Sequence, residues 1–138
     1  MLFRSSTIYK QATASPIGMG TSIYSIHQRL EARPRRTVSN ILLTDYPWPD
    51  VSIERHIFEE AGDELIVAPD GAEETLANLA CSCHAILTCW ANVTRRVIES
   101  ARQCRIVSRM GIGLDNIDLD CCRERGILVT NVPDYCVQ

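Results

Sequence analysis

Residues 105–118 read RIVSRMGIGLDNID. An apolar strand-like run leads into Gly111 and Gly113, and Asp118 follows as a helix-capping residue. Two glycines one residue apart leave the backbone uncovered by side chains and free to take positive φ. Such a turn can aim its N–H groups at a bound anion. The stretch therefore predicts a strand, an anion-binding loop and a helix in succession.

The same strand–loop–helix rhythm extends on both sides of this stretch. Near-continuous apolar strands are typical of a parallel sheet that is covered by helices on both faces, and right-handed crossovers then give a doubly wound α/β fold. We expect a five-stranded sheet that is incomplete at the C-terminus, because the chain ends soon after the fifth strand. The predicted strands are residues 41–43, 65–68, 85–88, 105–108 and 127–130.

Capping residues divide the chain between these strands. Asp50, Thr94 and Asp118 are predicted to cap helix N-termini, and Gly62 and Gly126 are predicted to close helices at the C′ position. In the first helix the expected buried face consists of Ile53, Ile57, Phe58 and Ala61.

Composition limits the function classes. The chain has 138 residues, 46% of them hydrophobic, and no apolar run approaches the roughly 18 residues of a membrane-spanning helix. Residues 1–39 hold six basic residues and one acid, and we expect a disordered or poorly ordered leader there. Residues 40–138 hold eight basic and sixteen acidic residues, which argues against a nucleic-acid partner. Because no secretory apolar segment occurs, a cytoplasmic protein is expected.

The seven cysteines predict neither disulfides nor a metal site. Their number is odd, and the clusters Cys81–Cys83 and Cys121–Cys122 lack the C-x₂-C spacing of structural zinc sites. We expect reduced cysteines that act as small core residues.

In a doubly wound sheet, ligands bind at the carboxyl ends of the strands. That rule selects four loops, 45–49, 88–93, 109–116 and 131–135. Gly111 and Gly113 could present main-chain donors there, and Arg109 could add charge. Alternatively, the glycines only make a tight turn that Asp115 and Asn116 stabilise locally.

Side chains beside these loops give weaker signals. Trp48 and Trp90 lie on strand-end loops and could wall a pocket, although ordinary packing is the favoured interpretation of each. Asp45 is interpreted as a cap or a solvated residue. None of His27, His56 and His84 is placed to serve as a general base.

Residues 105–118, followed by Arg125-Gly126-Ile127 and Asn131-Val132-Pro133, resemble the D-isomer-specific 2-hydroxyacid dehydrogenases, nearest to the phosphoglycerate dehydrogenase and C-terminal-binding-protein-like branch. The opening run of residues 41–46 and the segment 93–98 fit the same family. The resemblance covers about residues 40–138. It implies a flavodoxin-like substrate-binding domain that is truncated before the NAD-binding domain.

The resemblance also implies a site. Main-chain groups at Gly111, Ile112 and Gly113 would meet the carboxylate of a small 2-hydroxy or 2-oxo acid, with Ile112 beside the nicotinamide of NAD. Arg109 and Trp90 would lie near the same cleft. The family's catalytic residues and dinucleotide fingerprint fall in the part that follows. No catalytic residue is therefore assigned, and the isolated chain is expected to be inactive. The family forms homodimers.

A different class of function stays open as an alternative, a stand-alone flavodoxin-like binding or regulatory module. A phosphoacceptor receiver, one member of that class, needs an Asp after strand three and a Lys after strand five. Here strand three ends in Thr88-Cys89-Trp90, and no Lys occurs after Lys10.

Overall fold

A parallel five-stranded sheet organises the part of the chain that the computed structural model describes, residues 37–134. The chain divides into two units, Met1–Arg36 and Thr37–Gln138, and the expected leader lies almost entirely outside the described residues. Strands and helices alternate as β1 Asn40–Leu43, α1 Ser52–Glu60, β2 Glu64–Val67, α2 Glu73–Ala80, β3 Ala85–Thr88, α3 Arg95–Ser100, β4 Ile106–Arg109, α4 Leu119–Glu124 and β5 Leu128–Thr130.

The strand order is β2-β1-β3-β4-β5, and every neighbouring pair is parallel. This is the flavodoxin-like order, in which the chain runs outward from β1 to one edge and then returns to build the other side. The predicted doubly wound α/β fold is confirmed. All five strands end at the same edge of the sheet, which brings the four loops selected from the sequence to one side of the domain.

The two faces of the sheet are covered unequally. On one face Leu42, Ile86 and Val107 are fully buried beneath α2, α3 and α4. On the opposite face Ile41 and Leu65 pack with half-buried residues of α1. Side chains alternate between faces along a strand, and the row Ile41, Ala85, Ile106, Leu128 therefore points to the α1 side. Leu128, at the far end of that row, is 67% exposed.

Helix boundaries follow the predicted caps closely. The Thr94 hydroxyl accepts a hydrogen bond from the Val97 amide at the start of α3, and the Asp118 carboxylate accepts one from the Cys121 amide at the start of α4. Gly62 and Gly126 have φ of 76° and 67° immediately after the C-caps of α1 and α4. These conformations favour glycine, because a Cβ disfavours the left-handed region.

The predicted buried face of α1 is wrong in part. Ile53 and Ile57 are 72% and 57% exposed and Ala61 is exposed, whereas Phe58 is half-buried. The helix instead turns the side that carries Val51, Glu54 and Phe58 toward the sheet. Asp50 is also not the N-cap. Its carboxylate accepts at 2.8 Å from the amide of Ser52, the first residue of the helix, and Val51 occupies the cap.

The cysteines behave as small core residues, as predicted, with one exception. Cys81 is exposed, and the other free cysteines of the described part are buried, namely Cys83, Cys89, Cys104, Cys121 and Cys122. Burial raises the pKa of the Cys83 and Cys122 thiols to about 11, so these thiols stay protonated near neutral pH. Across residues 37–134, no group of three or more His, Cys, Asp or Glu side chains is placed to hold a metal ion.

Candidate functional site

A cleft of about 470 Å³ opens at the carboxyl edge of the sheet. It draws residues from all four predicted loops, which the sheet order brings together. The walls are mainly apolar, as in most small-molecule sites. The lining residues are Pro47, Trp48, Cys89, Trp90, Arg109, Met110, Gly111, Ile112 and Val132.

The glycine loop consists of Gly111, Ile112 and Gly113. Its backbone carbonyls accept hydrogen bonds from the protein, whereas its backbone amides donate none to the described residues. The carbonyl of Gly111 accepts from the Val132 amide, that of Ile112 from the Asn131 side chain at 2.7 Å, and that of Gly113 from Arg109. By contrast, no residue in the described range 37–134 accepts a hydrogen bond from the amides of these three residues. A row of donors without acceptors beside a cleft suits an oxyanion.

The glycines serve a different geometric purpose from the predicted one. Neither Gly111 nor Gly113 has a positive φ; in the described part of the chain only Gly62 and Gly126 do. A Cβ at Gly113 would lie 3.2 Å from an oxygen of Asp115, and one at Gly111 would lie 3.4 Å from Nε of Arg109. The glycines therefore permit close approach of side chains to the loop backbone.

Arg109 braces the loop from one side. One of its terminal nitrogens donates to the carbonyl of Gly113 at 3.3 Å and to the side-chain oxygen of Asn116. Its Nε is buried and has no partner in the described part of the chain. One terminal nitrogen of the guanidinium is thus committed to the protein, and the half-buried Arg109 side chain places its positive charge in the lining of the cleft.

Asn116 joins the glycine loop to the loop after β3. Its amide nitrogen donates to the carbonyl of Ala91 at 2.8 Å, and its own backbone carbonyl accepts from the Val93 amide at 2.8 Å. The predicted local role of Asn116 is therefore only part of its role, because it also connects two segments about 25 residues apart.

Asp45 holds the Trp90 side of the cleft. At the end of β1, one carboxylate oxygen accepts from the Cys89 amide at 3.0 Å and from the Thr44 hydroxyl at 2.7 Å. The other oxygen accepts from the Trp90 amide at 2.7 Å. The interpretation of Asp45 as a simple cap or a solvated residue is wrong, because its partners lie 44 and 45 residues away in the chain.

The sequence profile of the D-isomer specific 2-hydroxyacid dehydrogenase catalytic domain matches residues 41–138. This match covers the whole sheet and the cleft at its carboxyl edge. The chain belongs to this family. The resemblance drawn from residues 105–118 is therefore confirmed.

Relatives of known activity lie within the same family. The chain is 36% identical over 94 residues to D-3-phosphoglycerate dehydrogenase of Methanocaldococcus jannaschii, a match that covers 68% of this chain and 17% of the relative. It is 49% identical over 41 residues to hydroxypyruvate reductase of Thermotoga maritima, covering 30% of this chain and 13% of the relative. The chain thus spans less than a fifth of these relatives.

Solved structures share the fold. The NAD⁺-bound 3-phosphoglycerate dehydrogenase of Entamoeba histolytica superposes with a TM-score of 0.64 at 22% identity, over 69% of this chain and 33% of the other. The Aquifex aeolicus D-lactate dehydrogenase, complexed with NAD and lactic acid, gives 0.60 at 22% identity, over 70% of this chain and 28% of the other.

Four of the five expected site residues of this dehydrogenase-family chain line the cleft. Arg109, Gly111, Ile112 and Trp90 line the cleft, and Gly113 adjoins it without lining it. Ile112 is 51% exposed and Trp90 is 63% exposed. The sequence analysis missed Met110 and the contribution of Pro47, and it left open whether Trp48 walls a pocket. Trp48 does line the cleft.

The two described histidines lie away from the cleft. His56 is on α1, where its Nε2 lies 3.4 Å from Glu60. Nδ1 of His84 accepts from the Asn40 amide at the amino end of the sheet, opposite the cleft. In residues 37–134, no helix is long and apolar enough to cross a bilayer.

Asp45 makes the stability of the domain depend on pH in acid. Burial raises the pKa of its carboxyl, but hydrogen bonds from the Cys89 amide, the Thr44 hydroxyl and the Trp90 amide outweigh burial and hold that pKa below the ordinary 3.8. A depressed pKa means that the ionised group stabilises the folded state above the unfolded pKa. That stabilisation is lost as pH falls through the folded pKa.

We therefore expect the melting temperature difference between the unmodified chain and Asp45→Asn to be largest above about pH 5 and to shrink toward pH 2.5. Thermal melts followed by circular dichroism across that range measure the difference. A difference independent of pH would show that ionisation of Asp45 contributes nothing to stability.

Proposed function

We propose that this chain is the substrate-binding part of an NAD-dependent D-2-hydroxyacid dehydrogenase. The amides of Gly111, Ile112 and Gly113 bind the carboxylate of a 2-hydroxy or 2-oxo acid in the cleft, and Arg109 adds positive charge. The observation that carries the proposal is the asymmetry of the loop. Its three carbonyls are occupied by protein donors, whereas its three amides have no acceptor among the described residues.

The cofactor would meet this chain only at the edge of the cleft. NAD would supply the hydride chemistry that the side chains of the protein cannot supply. The exposed apolar side chain of Ile112 next to the donor amides suits contact with a flat nicotinamide ring. The residues of this chain would hold the substrate carboxylate and exclude water with the two tryptophans.

The 138-residue polypeptide should bind a substrate but should not catalyse its oxidation. We expect it to bind pyruvate without forming NADH from D-lactate and NAD⁺, because neither His56 nor His84 reaches the cleft to exchange a proton. Dehydrogenation by the purified chain, measured at 340 nm, would contradict this expectation.

Amide chemical shifts test the carboxylate site directly. In ¹H–¹⁵N spectra, pyruvate should shift the amides of Gly111, Ile112 and Gly113 more than other backbone amides, and acetone, which lacks a carboxylate, should not. Ile112→Pro removes the central donor, and Ile112→Ala keeps it, which makes the two a matched pair at an exposed position. A hydrogen bond to a charged group contributes about 1.5–3 kcal/mol, so Ile112→Pro should weaken pyruvate binding at least tenfold relative to Ile112→Ala. Equal affinities would refute the amide site.

The proposal also concerns the whole protein. As in the family, we propose a homodimeric enzyme located in the cytoplasm, with the NAD-binding domain supplied by sequence beyond the segment described. Size-exclusion chromatography with light scattering on the protein isolated from its source organism would test the dimer, and the mass of that protein would show how much further sequence it contains.

A further inference from the structure

The cleft lining has one positively charged side chain and is otherwise uncharged and mostly apolar, and this composition affects which 2-oxo acid the cleft can bind. Apart from the donor amides and Arg109, the lining side chains in the described part of the chain are uncharged and mostly apolar. They include both tryptophans of the whole sequence, Trp48 and Trp90. The others are Pro47, Cys89, Met110, Ile112 and Val132.

The positive charge available to a ligand is limited. Arg109 is the single cation among the cleft-lining residues of the described segment. One terminal nitrogen of its guanidinium already bonds to Gly113 and Asn116, and its Nε is buried and would lie 3.4 Å from a Cβ at Gly111. If Arg109 and the loop amides bind one carboxylate, the cleft lining contributed by residues 37–134 holds no further cation to neutralise a second anionic group. Phosphate recognition normally uses several such donors, often in bidentate Arg pairs.

The side of the cleft formed by Cys89 and Trp90 also disfavours a negatively charged ligand group. The Asp45 carboxylate lies directly behind it, bonded to the amides of Cys89 and Trp90. Burial raises the pKa of the Cys89 thiol, and the Asp45 charge raises it further, while Arg109 opposes them with a smaller effect. An anion placed against this wall would therefore meet repulsion in addition to losing its hydration.

We propose that the cleft selects 2-oxo and 2-hydroxy acids whose C3 substituent is apolar, and disfavours those that carry a phosphate. The carboxylate binds at the glycine loop, and the substituent packs between Trp48 and Trp90. This inference depends on the proposed function, because it takes the carboxylate position as given. It differs from what the name of the phosphoglycerate dehydrogenase relative would suggest if it were transferred to this chain.

Three acids that share the 2-oxo carboxylate separate the outcomes. With the 138-residue chain, we expect 4-methyl-2-oxopentanoate to bind at least tenfold more tightly than 3-phosphohydroxypyruvate, and pyruvate to fall between them. Shifts of the Gly111 and Ile112 amides give the dissociation constants. Fluorescence gives a second readout, because both tryptophans line the cleft.

Substitutions at Trp90 and Ile112 test which side chains determine the selectivity between these acids. Trp90→Ala should weaken 4-methyl-2-oxopentanoate binding at least fivefold and pyruvate binding less than twofold, and Trp90→Phe should restore most of the loss. Ile112→Arg, a change at an exposed position, should reduce the preference against 3-phosphohydroxypyruvate at least fivefold by adding a cation. His56→Ala, on the distant helix α1, is the control.

The outcomes are distinguishable. If 3-phosphohydroxypyruvate binds as tightly as 4-methyl-2-oxopentanoate or more tightly, the apolar selectivity is refuted while the carboxylate site stands. If Trp90→Ala weakens the binding of all three acids equally, the tryptophan does not contact the C3 substituent and the inference fails. If none of the acids shifts the loop amides, the proposed function itself is refuted.

Discussion

Replacing Asp45 with alanine is expected to destabilise the domain and to loosen the cleft at the same time. The substitution leaves the Cys89 and Trp90 amides without their acceptor. A buried donor left unsatisfied costs about 1–3 kcal/mol. Cys89 is buried, whereas the exposed Trp90 amide can bond to water, so we expect a loss of about 1–3 kcal/mol in the free energy of unfolding. Urea titration followed by circular dichroism measures this loss.

The same variant should weaken ligand binding. Without the carboxylate, the Trp90 segment is no longer held against the end of β1. The affinity of the chain for 4-methyl-2-oxopentanoate, whose substituent is proposed to pack against Trp90, should then fall about tenfold, since ordering the loop opposes binding. Asp45→Asn retains one acceptor oxygen and should lie between alanine and the unmodified chain in both measurements.

Asp50 provides the matched control for Asp45. Unlike Asp45, it accepts a single local amide, that of Ser52 at 2.8 Å, and it is exposed and does not line the cleft. Asp50→Ala should change stability much less than Asp45→Ala and should leave 4-methyl-2-oxopentanoate binding unchanged. If the two alanine variants lost stability equally, the cross-strand contacts of Asp45 would not contribute to folding.

Replacing Leu42 with alanine should have the largest effect on stability of any single change considered. Leu42 is fully buried in β1, between β2 and β3, beneath the helices of the well-covered face. Truncation of a buried Leu to Ala costs about 2–5 kcal/mol, because it removes apolar contacts and leaves a cavity. That is a large share of the roughly 5–15 kcal/mol that stabilises a typical domain.

Leu128→Ala makes the same chemical change on the opposite face. Since Leu128 is 67% exposed, the expected cost is below about 0.5 kcal/mol. Urea titrations of both variants give the comparison. Should Leu42→Ala not fold, Leu42→Val removes only one methylene and allows the loss of stability at this position to be measured. A cost at Leu128 equal to that at Leu42 would mean that another surface covers β5 in solution, for example a second copy of the chain.

The local parts of the fold could be read from the sequence because they depend on contacts between near neighbours. Thr94 and Asp118 cap helices through bonds to amides three residues ahead, and Gly62 and Gly126 follow helix ends. The run from Arg105 to Asp118 likewise combines a strand, a glycine-containing loop and the N-cap of α4 within fourteen residues. Short spacings of this kind are set by the chain itself.

Other features depended on which segments become neighbours in space. Two apolar stripes compete on α1, and only packing against the sheet decides that Phe58 turns inward while Ile53 and Ile57 stay exposed. Similarly, the sequence places a charged residue, Arg109, near the glycine loop and suggests a ligand contact. Only the folded position of Asn116 shows that one terminal nitrogen of Arg109 donates a hydrogen bond to the protein instead.

Local pattern alone determined for this chain that strands and helices alternate, where α3 and α4 are capped, and that a glycine-containing loop follows β4. Only the tertiary structure decided that Asp45 supports Trp90, that both tryptophans face one cleft, and that one face of the sheet is left more open than the other. The reason is physical. Capping bonds span two to four residues, whereas the bonds of Asp45 cross 44 and 45 residues. They exist because β1 and β3 lie side by side in the order β2-β1-β3-β4-β5.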